Sequence, residues 1–180
     1  MTIEICSEKD IPSLVNISIQ SYDEHYTYLW NDEGEAYIAE NFGASNFKHQ
    51  LDDKNVAMFL IYDEEVQPCG FLKLNIDKAY ENYPADLSLE LERIYLINKV
   101  SGKGYGKKIM DFVTSFGKNK NKKFIWLKVM DSSPAVNFYK KEGFDIIGKW
   151  RLQFPAMKEE FRGMHVMVKE MDDVTDQRSR

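Results

Sequence analysis

The 180-residue chain contains 43% apolar and 29% charged residues, which is typical of one soluble globular domain with a substantial core. Its net charge of −5 argues against a general nucleic-acid-binding protein, and two cysteines are too few for a disulfide framework or a zinc site. Apolar runs stay far below the ~20 residues of a membrane span, and the first ten residues lack a signal-peptide core. We therefore expect a cytoplasmic protein without membrane or nucleic-acid partners and without a bound metal.

The first half of the chain has the apolar periodicities of both strands and helices. Ser7 and Asp10 have the spacing of a capping box at the start of the first helix. The predicted elements are a strand at 2–6, helices at about 8–26, 33–42 and 44–52, and strands at 55–62 and 69–76.

Residues 22–42 mix aromatic and acidic side chains. In one interpretation the rings belong to the core and the acids face water. In the other, rings and acids together form a wall that attracts an amine by charge and by the ring faces. The sequence leaves both interpretations open.

The second half of the chain predicts a third long strand at 87–97. Its leucines point to one face, and Glu90, Glu92 and Ile94 point to the other. The further predicted elements are a helix at about 104–119 with a stop near Gly117, a strand at 124–130, a helix from Ser133-Pro134 to Glu142 followed by Gly143, strands at 144–153 and 163–171, and a disordered polar tail at 172–180. This order predicts a single α/β domain over 1–171 with a mixed sheet.

Three glycines at every second position separate the strand at 87–97 from the next helix. Such a turn presents backbone N–H groups to a phosphate at a helix start. Residues 99–123 hold eight lysines and one aspartate, a charge of +7 that leaves −12 on the remaining residues. The lysines at 118–123 are most simply a solvated helix face. The glycine spacing matches neither a Walker loop nor a dinucleotide fingerprint, and it fits an acyl-CoA pyrophosphate loop.

Residues 131–144 add a second motif, A-x-x-F-Y followed by G-F, which comprises Ala135, Phe138, Tyr139, Gly143 and Phe144. Together with the glycine loop, it resembles the signatures of the GNAT N-acetyltransferase superfamily over roughly residues 2–170. Within that superfamily the chain looks most like bacterial spermidine/polyamine N-acetyltransferases. The resemblance implies an α/β fold with one mixed, mostly antiparallel sheet of six to seven strands and about four flanking helices.

The resemblance also implies acetyl-CoA between the strands 87–97 and 124–130. Strand backbone would pair with the pantetheine, and the glycine loop would bind the pyrophosphate. At Ser101 the superfamily usually has Arg or Gln, and at Ser132 it often has Asn. The implied cofactor residues are Ile94, Tyr95, Leu96, Ser101, Gly102, Lys103, Gly104, Tyr105, Gly106, Lys107, Ser132 and, for the phosphates or the adenosine end, Lys141.

By the same resemblance, Tyr139 protonates the leaving thiolate, and Glu90 or Glu92 takes the proton of the attacking amine, with Glu92 nearer the acetyl site by sequence. The expected reaction is direct acetyl transfer to a primary amine, with a small polyamine such as spermidine as the first acceptor. Two alternatives stay open: a protein N-acetyltransferase acting on lysine or an N-terminus, and a non-catalytic acyl-CoA-binding regulator. A homodimer is frequent in this superfamily.

Overall fold

The computed structural model describes residues 1–171, so the predicted tail at 172–180 lies outside the described part of the chain. In residues 1–171, five α-helices and seven strands follow one another in the predicted order. The strands are β1 (Thr2–Ile5), β2 (Val56–Tyr62), β3 (Pro68–Asn75), β4 (Ser88–Leu96), β5 (Phe124–Met130), β6 (Asp145–Arg151) and β7 (Gly163–Glu170). The helices are α1 (Ile11–His25), α2 (Glu35–Asn41), α3 (Ala44–Asp52), α4 (Tyr105–Asn119) and α5 (Ala135–Lys141).

The strands form one mixed sheet in the order β1-β2-β3-β4-β5-β7-β6. Among the described strands, β4 and β5 pair in parallel and the other neighbours are antiparallel. The predicted fold class is therefore confirmed. The parallel pairing covers four residues of each strand and ends at Leu91 opposite Leu127. Beyond this point β4 and β5 continue without pairing to each other, which leaves a gap in the middle of the sheet.

Helices cover both faces of the sheet. On one face, α4 packs against β2, with ring centroids of Phe59 and Phe112 5.0 Å apart. On the other face, α3 lies over β3, where the rings of Phe47 and Phe71 are 6.2 Å apart. All four rings are buried or half-buried, and such edge-to-face contacts add to the stabilisation from apolar burial.

A β-bulge interrupts β4 just beyond its contact with β5. Its β3 partners are Leu74 for Leu91 and Lys73 for Arg93. Glu92 is therefore the extra residue, and the alternation of side chains shifts by one position there. Ile94 pairs with Leu72 on the face covered by α4, so the prediction that it shares the face of the glutamates is wrong. A simple period of two carries no signal for a bulge.

Gly117 does not end α4 as predicted. It is buried inside the helix, where a Cβ would lie 3.4 Å from Leu89 Cδ2 and 3.0 Å from Met171 Cε. The left-handed residue after the helix is Asn121, with φ of 57°. Glycine at 117 thus serves the close approach of the helix to β4. The predicted stop at Gly143 is confirmed by its φ of 88°.

Lys122 is not part of a solvated lysine face. Its side chain is only 3% exposed, and its ammonium contacts the Asp77 carboxylate and the carbonyls of Asp86 at 2.8 Å and Ala85 at 3.4 Å. This cation fastens the 77–87 excursion, which leads into β4, to the end of α4. A buried lysine with three acceptors cannot be told from a surface lysine by sequence alone.

Gly70 allows β3 to approach β4 beside the gap. A Cβ on Gly70 would lie 2.6 Å from Leu96 Cδ2 and closer still to the Tyr95 carbonyl oxygen. Gly70→Ala is therefore expected to lower the free energy of unfolding by about 1–3 kcal/mol through overpacking. Urea unfolding measures this, with Gly43→Ala as the control, since a Cβ there meets only Ala39 O at 3.7 Å. Equal stability of the two variants would contradict the close approach.

Within residues 1–171, no helix combines the length and the apolar character that crossing a membrane requires. The same part of the chain contains no cluster of three His, Cys, Asp or Glu side chains placed to hold a metal ion.

Candidate active site

The gap between β4 and β5 exposes strand backbone on one edge of β4. The Ile97 N–H donates to Cys69 O at 3.0 Å, and the Tyr95 carbonyl also points at β3, beside Gly70. Because backbone groups alternate in direction along a strand, the peptide groups of Ile94 and Leu96 face the gap. These two residues fit an extended ligand such as pantetheine, whereas Tyr95 turns its peptide group away from it.

The glycine loop precedes α4 without a side-chain cap on the helix. Gly102 and Gly104 have φ of 72° and 77°, and a Cβ on either would meet nothing within 4 Å. The first N–H groups of a helix have no acceptor within it, which here concerns Tyr105, Gly106 and Lys107. Free N–H groups, an open approach and the positive end of the helix dipole fit a pyrophosphate.

The side chains around this loop contribute unequally. Lys103 is exposed beside the glycines. Lys107 is shared with Asp111 and with Glu142, whose carboxylate lies 3.5 Å from Nζ, and these partners raise its pKa. Tyr105 buries its ring in the core, so only its backbone faces the loop. Gly106 lies against Phe138, since a Cβ there would be 3.2 Å from the Phe138 ring.

Three further predicted cofactor residues are exposed or half-buried and lie outside the glycine turn itself. Ser101 ends the turn at 98–100 and is exposed. Ser132 is exposed between β5 and α5, and Lys141 is the exposed last residue of α5. Within residues 1–171, no side-chain hydrogen bond or ion pair joins these three to another predicted cofactor residue. The neighbouring Ser133 accepts the Ala135 N–H at 3.2 Å, as a cap before Pro134 would, and α5 itself begins at Ala135, one residue later than predicted.

Glu90 and Glu92 lie together on the face opposite the leucines, as predicted. The Asn75 side-chain amide donates to both carboxylates, at 2.6 Å to Glu90 and 2.8 Å to Glu92. Glu92 also accepts from Lys73 at 2.7 Å and faces Arg93 Nε at 3.6 Å. Sequence reasoning missed Asn75 and Lys73, because β3 brings them to the bulge through strand pairing.

The two carboxylates differ in their electrostatic surroundings. Burial is the main cause of a raised pKa at Glu90; the Asn75 hydrogen bond opposes the shift, and the Glu92 charge adds to it. Burial acts in the same direction at Glu92, but Lys73 and Arg93 outweigh it and leave the pKa of Glu92 below its ordinary value. Glu90 is therefore the carboxylate with the greater affinity for a proton.

Tyr139 extends from α5 into an aromatic environment. Its ring lies 5.3 Å from that of Phe138 and 5.6 Å from that of Phe144. Burial, with a smaller effect of the Tyr26 phenol, raises the pKa of Tyr139. The ring of Tyr26 is in turn 5.3 Å from Tyr95 on β4. Tyr139 thus carries a protonated phenol close to Tyr26, which in turn contacts β4 at Tyr95.

The mixed aromatic and acidic segment at 22–42 follows the first interpretation. Tyr22 stacks on Tyr37 at 5.0 Å and accepts the Trp30 indole N–H at 2.8 Å, within the core. The acids have other partners or face water: Asp32 accepts the N–H groups of the first turn of α2, and Glu24 accepts the Asn98 N–H. These residues do not form an acidic wall.

A cationic and aromatic group lies on the Glu90 side of the sheet and was not predicted. Lys128 Nζ lies 4.4 Å from the centroid of Trp150 and 5.5 Å from that of Trp126. Trp150 is 48% exposed and borders an open cleft of about 600 Å³. Asp131, Lys149, Arg151, Gln153, Gly163 and Met164 line the rest of this cleft. The cleft thus lies where β5 and β6 end and β7 begins.

Comparison with known proteins agrees with this geometry. Residues 16–144 match the model of the acetyltransferase (GNAT) family. The uncharacterized N-acetyltransferase of the pepI 3′ region from Lactobacillus delbrueckii subsp. lactis is 29% identical over 140 residues, which are 76% of this chain and 80% of that protein.

Solved structures with the same fold include two whose names give different acceptors. PaiA N-acetyltransferase from Thermoplasma acidophilum, in complex with coenzyme A, has a TM-score of 0.73 at 20% identity, covering 95% of this chain and 100% of the other. A chimera of the spermidine N-acetyltransferase SpeG from Vibrio cholerae with hSSAT has a TM-score of 0.70 at 19% identity, covering 94% of both chains. Ribosomal-protein-alanine N-acetyltransferase from Brucella melitensis has a TM-score of 0.70 at 18% identity, covering 95% of this chain and 100% of the other.

The polyamine branch is thus one of several that share this fold. The family match covers most of the chain, and the gap, the glycine loop and the second motif lie in the order that the resemblance implied. The chain therefore belongs to the acetyltransferase (GNAT) family and is an acetyl-CoA-dependent N-acetyltransferase.

Proposed function

We propose that the protein transfers an acetyl group to a small primary amine by direct attack in a ternary complex, with polyamines such as spermidine as the first acceptors. The observation that carries this proposal is the position and the raised pKa of Glu90. This residue is 6% exposed, has a raised pKa, and lies one position before Leu91, where the pairing of β4 with β5 ends.

In this proposal, backbone groups of β4 and of the glycine loop hold acetyl-CoA. The peptide groups of Ile94 and Leu96 pair with the pantetheine arm, as an added strand would. The N–H groups of 102–107 bind the pyrophosphate, and Lys103 adds charge. When bound, acetyl-CoA supplies a thioester: the amine nitrogen bonds to the acetyl carbon, and the carbon–sulfur bond breaks with its electron pair on sulfur.

Glu90 and Tyr139 manage the protons of this reaction. An amine with a pKa near 10 is mostly protonated at pH 7, so a base must remove a proton before or during attack. Glu90 is the better base, because Glu92 is engaged by Lys73 and Asn75 and its pKa is lowered. The hydroxyl of Tyr139 donates a proton to the leaving sulfur. Glu92 orients Asn75 and, through it, Glu90.

The charge of the protein supports a cationic acceptor. Residues outside 99–123 carry −12, and such a field raises the local concentration of polycations. A second acceptor class is favoured by Lys128, which is stacked on the exposed Trp150 beside Glu90. A cation there suits a primary amine that also carries a carboxylate.

The acceptor is tested by thiol release from acetyl-CoA with three groups of amines: polyamines, amino acids, and peptides with a free N-terminus or lysine. Turnover highest with spermidine and its analogues is the expected result. Preference for amino acids would favour the carboxylate-bearing acceptor, and preference for peptides a protein N-acetyltransferase. Micromolar CoA binding without turnover on any amine would contradict the enzyme and favour a regulator.

A homodimer is part of the same proposal. The sheet ends at β6, an edge strand on which Ile146 is 39% and Trp150 48% exposed. Exposed apolar residues on an unpaired edge support pairing with a second copy. Light scattering at micromolar concentration tests this, and a monomeric mass would contradict it.

A further inference from the structure

The turn that joins β4 to the glycine loop is held from two sides. Glu24 on α1 accepts the Asn98 N–H at 2.5 Å and is itself fixed by Gln20 at 2.9 Å. From the other side, Lys99 Nζ reaches Asp63 Oδ2 and Glu65 Oε2, each at 2.8 Å. The Lys99–Asp63 contact joins residues 36 positions apart, in the β2–β3 hairpin and in the segment next to the glycines.

Asp63 is built into the hairpin as a rigid anchor. Its side chain is only 6% exposed. While Oδ2 meets Lys99, Oδ1 accepts the N–H groups of Glu65 and Gln67, both at 2.9 Å. One carboxylate therefore shapes the hairpin turn and holds the lysine, so the position of Lys99 follows the position of the sheet.

The glycine loop, by contrast, has little support of its own. Gly102 and Gly104 have open space where a side chain would be, and Ser101 and Lys103 are exposed. Lys103 N donates to Val100 O at a long 3.4 Å. The place of the loop in space therefore depends on the turn at 97–100. Burial of Val100 and the contacts of Asn98 and Lys99 hold this turn.

We infer that Asp63 and Lys99 are positioning residues that fix the glycine loop for the CoA pyrophosphate. Neither touches the cofactor in this inference: Lys99 is turned towards two carboxylates and away from the phosphates. The inference rests on the pyrophosphate site proposed above. It predicts that the pair contributes to affinity for the phosphate end of acetyl-CoA and not to reactions at the thioester.

The test compares acetyl-CoA with S-acetylpantetheine, a thioester that lacks the pyrophosphate. Asp63→Asn keeps an oxygen for the hairpin N–H groups and removes the charge, and Lys99→Met removes the other charge. Each variant is expected to weaken CoA binding in calorimetry by about tenfold and to lower kcat/KM for acetyl-CoA equally. The kcat/KM for S-acetylpantetheine should stay unchanged, and the double variant should lose no more than either single variant.

Glu64→Gln is the matched control, because it removes a charge from the same hairpin without removing a partner of Lys99. It should bind CoA as the wild type does. A loss of S-acetylpantetheine turnover equal to the loss with acetyl-CoA would overturn the inference, because Asp63 would then only stabilise the fold.

A separate variant distinguishes this inference from the proposal beneath it. Gly104→Ala places a Cβ at φ of 77° in the loop itself and should weaken CoA binding strongly. Weak binding by Gly104→Ala with normal binding by Asp63→Asn and Lys99→Met overturns the positioning pair alone. Normal CoA binding by Gly104→Ala would show that this loop does not bind the pyrophosphate, and it would overturn both the proposed site and the inference that rests on it.

Discussion

Glu90→Gln is expected to lower kcat/KM at pH 7 by about 10²-fold, the low end for the loss of a general base. The variant keeps the size of the side chain and an oxygen for the Asn75 amide. It cannot take a proton, so only the small neutral fraction of the amine reacts. Thiol release under kcat/KM conditions measures this effect.

The pH profile separates this role from a structural one. In the wild type, kcat/KM should rise through the pKa of Glu90, which burial places above its ordinary value of 4.5, and then stay level until the amine itself deprotonates. In Glu90→Gln it should rise about tenfold per pH unit, because the neutral fraction of an amine with a pKa near 10 does so. A level profile in the variant would exclude Glu90 as the base.

The same raised pKa has a consequence for stability. A carboxyl that binds its proton more tightly in the folded state stabilises the fold fully below its unfolded pKa and loses that contribution as the pH rises through its folded pKa. Glu92, with a lowered pKa, has the opposite sign. Its contribution is present above its unfolded pKa and is lost as the pH falls through its folded value. Glu92→Gln is the comparison variant for the pH profile of kcat/KM and for the pH dependence of stability, since it leaves Glu90 able to ionise.

Tyr139→Phe is expected to lower turnover by about 10²-fold with little change in CoA affinity. Removing the hydroxyl leaves the ring contacts with Phe138 and Phe144 in place. Burial raises the pKa of the phenol, so it is protonated throughout the working range. The same low-dielectric surroundings make a neighbouring thiolate more basic than its ordinary pKa of about 8.5 implies, which favours the transfer.

Single-turnover kinetics and CoA titration test this role, and Tyr28→Phe is the matched control. Tyr28 is 56% exposed and its ring contacts Phe161, so the loss of its hydroxyl should leave turnover unchanged. Unchanged turnover in Tyr139→Phe would show that Tyr139 is not the proton donor. A parallel loss of CoA affinity would instead assign Tyr139 to cofactor binding.

The periodic features of the sequence predicted most of the fold. Alternation and helical spacing placed every strand and helix within a few residues, because hydrophobic periodicity directly reflects burial. What failed depended on contacts between distant segments. The bulge at Glu92 follows from pairing with β3, and the buried Lys122 follows from the carbonyls of the 77–87 excursion.

The site divides in the same way. The glycine loop and Tyr139 belong to local motifs, so their positions followed from the sequence. The difference between Glu90 and Glu92 did not, since it depends on Lys73, a cation on another strand. Position along β4 favoured Glu92, whereas the pairing of charges favours Glu90. Ion pairs between strands leave no periodic signal in one sequence.

Because the pairing between β4 and β5 covers only four residues of each strand, a bound cofactor is expected to stabilise the fold. Among the described residues, the strand pairing between the two halves of the sheet is limited to Ser88–Leu91 with Phe124–Leu127, and a ligand in the gap would bridge the strands further on. A ligand that binds only the folded chain adds RT ln(1 + [L]/Kd) to its stability, about 2.7 kcal/mol at a hundredfold excess over Kd. The melting temperature should therefore rise with CoA concentration, and the abundance of folded enzyme becomes a function of its own cofactor supply.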